Sequence, residues 1–91
     1  REAKPHLLEA IDCLGSMGTH KAAVTLTEYL RDLNNYTEQE RVYDEQVILT
    51  LINNLEKLGD DVAIEPLQFA VFLNYSDKIK KAAQEAANSL R

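Results

Sequence analysis

Leu14-x-x-Met17-Gly18-x-x-x-Ala22 and Leu55-x-x-Leu58-Gly59-x-x-x-Ala63 are one phrase written twice, 59 − 18 = 41 positions apart. The same offset places Leu7 over Ile48, Ile11 over Ile52, Leu26 over Leu67 and Leu30 over Val71. Repeats built from pairs of helices have periods of about 40–47 residues. The phrase therefore predicts an all-α chain, a helical solenoid, rather than a fold with a sheet.

Working outward, the chain reads as about five helices. The first is expected from near Pro5, since a proline's missing N–H is harmless at a helix start; it carries Leu7, Ile11 and Leu14 at steps of four and three and stops at Gly18. Thr19 is placed to cap the second, whose stripe Ala23, Leu26, Leu30 and Leu33 ends at Asn34-Asn35. Thr37-Glu38-Gln39-Glu40 has the form of a capping box and predicts a long third helix, with Val47, Ile48, Leu51, Ile52, Leu55 and Leu58 running to Gly59.

Asp60 or Asp61 should cap the fourth helix, whose stripe is Ile64, Leu67 and Val71, up to Asn74. Pro66 removes a hydrogen bond near its start and favours a late beginning near Ala63. Ser76 or Asp77 opens a fifth helix with a small-residue face, Ala82, Ala83, Ala86 and Ala87 between Ile79 and Leu90. The organisation is one domain over residues 1–91: repeat one about 5–34, repeat two about 37–74, and a half repeat over 76–91. Solenoids gain stability by stacking about three or more units. Together with the Arg1 start and the unterminated Leu90-Arg91 end, this predicts a piece of a longer array.

With 45% hydrophobic and 27% charged residues, the chain has neither the polar excess of a disordered segment nor long apolar runs. A membrane role is not expected. The formal net charge of −5 gives counterion release from nucleic acid little to work with. Charge is also uneven. Eight acids between Glu38 and Glu65 face only Arg41 and Lys57, whereas Lys78, Lys80, Lys81 and Arg91 outnumber Asp77 and Glu85 near the end.

Leu51-x-x-x-Leu55-x-Lys57-Leu58-Gly59-Asp60-x-x-Ala63-Ile64-Glu65-Pro66-Leu67 resembles the HEAT repeat, in particular the short HEAT-like type of phycobilisome lyases. Ile79-Lys80-x-Ala82-Ala83-x-x-Ala86 is similar to the first helix of a further repeat, with Lys80 where an arginine is usual, and residues 6–33 fit more loosely. The resemblance implies a right-handed α-α superhelix, first helices on the convex side and second helices lining the concave one. It does not carry a function over, because such scaffolds host unrelated roles.

Chemistry is sparse. His6 and His20 have no His, Cys or paired acid at helical spacing to complete a metal set. They lack the His-Glu dipeptides of the di-iron deoxyhypusine hydroxylases, also HEAT-repeat proteins, and no bilin-attachment motif occurs. Asp60 and Asp61 read as helix caps, and Cys13, beside Glu9, Asp12 and Met17, as an inert or half-buried thiol that can form no internal disulfide. The glycines fall at helix ends or, for Gly15, at a close packing contact. No cofactor is implied.

The unusual stretch is Ala63-Ile64-Glu65-Pro66-Leu67-Gln68-Phe69-Ala70-Val71-Phe72-Leu73, apolar almost all round. Such a helix wants a second neighbour. With the core at Ile64, Leu67 and Val71, Phe69, Phe72 and Leu73 lie off the stripe; the residues 41 positions earlier are Glu28, Arg31 and Asp32. Adjacent repeats could cover them. The alternative is a concave-face patch for a partner helix or peptide, with Gln68 and Glu65 at its rim and acids that suit basic flanks. The expected function is that of a protein–protein interaction scaffold or adaptor without catalytic activity of its own. A regulatory or lyase-like enzyme subunit with its active site in further repeats is the competing class.

Overall fold

A computed structural model describes residues 3–91. They form five α-helices and, among the described residues, no strand: α1 (Ala3–Met17), α2 (His20–Glu40), α3 (Glu45–Leu58), α4 (Ile64–Val71) and α5 (Asp77–Leu90), with a single 3-10 turn, Asp61–Ala63, leading into α4.

α1 stops because Gly18 turns left-handed at φ 67°, and α3 stops in the same way at Gly59, φ 70°, whose N–H bonds back to the Leu55 and Glu56 carbonyls. Glycine adopts this conformation without a Cβ clash. Side-chain oxygens open the following segments: Thr19 accepts from the Ala22 amide, Asp60 from Val62 and Ser76 from Ile79. Pro66 lies in the first turn of α4, which is entered through the 3-10 turn, so its absent N–H removes at most one backbone bond and does not break the helix.

α1, α3 and α5 lie side by side with α3 in the middle; α2 rests on α1, α3 and α4, and α4 on α2 and α5. Contacts between α1 and α3 advance in step, Lys4 with Asp44, Asp12 with Asn54 and Ser16 with Lys57, so the two helices run parallel, in register, about one repeat apart. The molecule measures 35 × 31 × 19 Å. Its short dimension matches two helix layers at a spacing of about 8–10 Å. Leu26, Leu30, Ile48, Leu51, Ile52, Leu55, Leu67 and Ile79 fill the space between the layers.

Three local expectations need correction. The second helix does not end at Asn34-Asn35. It continues to Glu40, and Arg41 ends it at φ 60°. Thr37 is then a buried helical residue rather than a cap, and the shorter third helix is opened by Asp44, which accepts from the Gln46 and Val47 amides. Asn34 tolerates burial because it donates to the Pro66 carbonyl at 3.0 Å and accepts from the Tyr75 hydroxyl at 2.8 Å. A buried amide with both ends satisfied costs little.

Third, on α4 Leu67 is buried as expected, but Ile64 and Val71 are only half-buried, and Ala63, Pro66 and Ala70, each one position back, are covered instead. Its main neighbour explains the rotation: α5 presents Ala83, Ala86 and Ala87, and small residues facing small residues let the two backbones approach. Gly15 does the same between α1 and α3. A Cβ there would lie 1.8 Å from Asn54 Oδ1 and 2.8 Å from Asn54 Cβ.

Candidate functional site

The second helices differ in length, and a groove results. α4 ends at Val71, the counterpart of Leu30, whereas α2 runs ten residues further, about 15 Å of helix at a rise of about 1.5 Å per residue. This overhang stands away from the beginning of α1. The wedge between them is an apolar groove of about 940 Å³. Leu7 forms one wall, the stripe Tyr29, Leu33 and Tyr36 the other, and Val42, Tyr43, Val47 and Ile48 the floor and mouth. Tyr36 and Val42 are more than half exposed.

The groove is held from behind. The Tyr43 ring packs edge-on to Tyr75 with centroids 4.9 Å apart, and Tyr75 bonds to Asn34. At the mouth the Lys4 ammonium sits 2.9 Å from the Asp44 carboxylate and holds it below the usual carboxylate range, aided by the two amides that Asp44 caps. Burial raises the Tyr29 hydroxyl, and also that of Tyr75, where a hydrogen bond from Thr37 opposes the shift. Neither tyrosine ionises near neutrality.

The residues singled out on α4 divide. Phe72 is 84% exposed and Phe69 40%, with Glu65 exposed and Gln68 half-buried beside them. Leu73 is not part of that surface. α4 ends at Val71 and tightens through bonds from the Phe72 and Leu73 amides to the Phe69 and Ala70 carbonyls, which turns the Leu73 side chain into the core. Phe69 borders a shallow cleft of about 250 Å³ with Arg31, Asn35 and Glu65. The Arg31–Glu65 pair across it, at 3.4 Å and well exposed, is a weak interaction.

Elsewhere, His20 Nδ1 bonds to Asp60, which together with the Val62 amide lowers the Asp60 carboxyl, and Cys13 is exposed rather than half-buried. Among the described residues no three His, Cys, Asp or Glu side chains gather as a metal set, and no helix is long and apolar enough to cross a membrane. The groove escapes a reading of the sequence because Asn34-Asn35 looks like the end of a helix. The signal that could have found it is the apolar spacing Tyr29, Leu33, Tyr36, which continues the helical period past both asparagines. Set against protein-family models, curated proteins and solved structures, the chain matches none.

Proposed function

We propose that this chain is a protein-interaction module, a scaffold or adaptor that contributes binding surface and no catalytic residues, built as a short right-handed stack of HEAT-like helix pairs. The observation that carries the reading is the open apolar groove of the first pair. Large aromatic side chains that are half-exposed in the free protein and framed by a polar rim are typical anchors of protein recognition. Tyr29, Tyr36 and Tyr43 have that arrangement, with Leu33 and Val42 between them. Phe69 and Phe72 add a second, flatter contact on α4.

The test is site-directed photocrosslinking, with the reactive side chain placed at Tyr36, at Phe72 and, as a control, at the exposed Asn53 on α3. A discrete protein adduct formed from Tyr36 or Phe72 and not from Asn53 is expected. Equal labelling from all three positions would remove the proposal.

A further inference from the structure

The groove's shape and charge say what kind of partner it takes. We infer that it receives an amphipathic α-helix with basic residues flanking its apolar face; this rests on the interaction-module reading and adds to it the chemistry of the partner.

The spacing argues for a helix. Tyr29, Leu33 and Tyr36 follow one another at i, i+4 and i+7, so their side chains form a ridge along α2 that repeats every two turns, about 10.5 Å. A second helix laid alongside repeats its own apolar residues at the same interval, and its side chains interleave with that ridge. Leu7 on α1 closes the opposite wall, so the incoming helix completes a three-helix arrangement that α1 and the overhang of α2 leave unfinished.

The charge argues for basic flanks. At the mouth Asp44 and Glu45 line the groove with Lys4, and Glu40 lies one turn beyond Tyr36 on the same ridge, followed by Arg41, three acids and two bases, a balance of 2 − 3 = −1. Lys4 and Asp44 neutralise one another, which among the described residues leaves Glu40 and Glu45 against Arg41. Like-charged flanks on a partner would be repelled and basic ones drawn in, mostly through faster encounter.

Two synthetic helical peptides with the same leucine face, one flanked by lysines and the other by glutamates, and a proline-rich peptide as a third probe, distinguish the possibilities. Binding is followed by amide and methyl NMR shifts of the whole chain and by fluorescence anisotropy. The lysine-flanked peptide should move the resonances of Leu33, Tyr36 and Val42, bind about tenfold tighter than the glutamate-flanked one, and lose most of that margin at high salt. Tyr36→Asp should abolish these shifts and Phe72→Asp should not. Tyr36 is exposed enough for its variant to keep the parent's melting curve; Val42→Asp serves the same purpose on the loop.

Equal or tighter binding of the glutamate-flanked or the proline-rich peptide in the groove would overturn the inference and leave the module reading standing. So would self-association of the free chain, abolished by Tyr36→Asp, which would make a second copy the occupant. If no peptide shifts any groove resonance, the module reading falls with it.

Discussion

The two helix pairs share their first helices and differ in their second. α1 and α3 are nearly equal in length, end in left-handed glycines and run parallel in register, whereas α2 spans 21 residues and α4 only 8. In the second pair the chain turns soon after Val71, and Tyr75 and α5 cover the region that follows. In the first pair the same region is spanned by the overhang of α2, and the space beside it stays open. A repeat can therefore keep its packing phrase and still open an apolar groove, by changing only where its second helix stops.

The sharpest way to probe the contrast is at the matched core positions. Leu30 is fully buried and Val71 only half so, although the repeat aligns them. Leu30→Ala should cost about 2–5 kcal/mol, against about 1 kcal/mol for Val71→Ala, as read from chemical denaturation. Equal losses would mean that the two pairs pack alike and that the difference in length has no energetic counterpart.

Gly15 and its aligned residue Glu56 come next. Gly15→Ala forces a Cβ onto Asn54 and should cost roughly 1–3 kcal/mol. Glu56→Ala, on an exposed site, should change stability by less than about 0.5 kcal/mol. An unperturbed melting curve for Gly15→Ala would show that α1 can slide on α3 and that their register is loose. Gly18 and Gly59 test the likeness instead of the difference. Each has a positive φ with no neighbouring atom, so substitution by valine should destabilise through backbone strain, by about 1–2 kcal/mol at either site. A large cost at one and none at the other would break the equivalence.

The smallest effect is on pH. Thr19 and Asp60, aligned within the repeat, cap the segments after each glycine, and only Asp60 titrates. Its folded carboxyl lies below the ordinary value because of His20 and the Val62 amide, so its contribution is complete above about pH 4 and lost as pH falls through the lower folded value. Acid titration should accelerate hydrogen exchange at Val62 before Ala22. Simultaneous loss would show that the caps do not act separately.

The glycine phrase, the capping residues Thr19 and Ser76, the late start of α4 and the close approach at Gly15 are all legible in the sequence, because each depends on local backbone chemistry or on an obvious absence of side chain. Three features are not. Asn34 and Thr37 have the local preferences of a helix end and a helix start, yet both are buried helical interior, Asn34 through partners more than thirty residues away, Pro66 and Tyr75. The rotation of α4 follows from the small side chains of α5, which a single-helix periodicity does not weigh. Leu73 turns inward because the helix stops two residues before it, whereas Phe69, still within α4, stays outside on the face away from Pro66, Leu67 and Ala70.

The side-chain bonds that tie α1 to α3 join residues 40 to 42 positions apart, with all of α2 between them. During synthesis, α1 cannot find its place until α3 has been made, and it waits through two further helices' worth of chain. Closing loops of that length carries an entropic cost that must be met before any contact rewards it. α4 and α5, by contrast, are neighbours in sequence as well as in space, so their contact closes only a short loop. The groove, which borrows one wall from α1, is complete only when α1 lies in place beside α2 and α3.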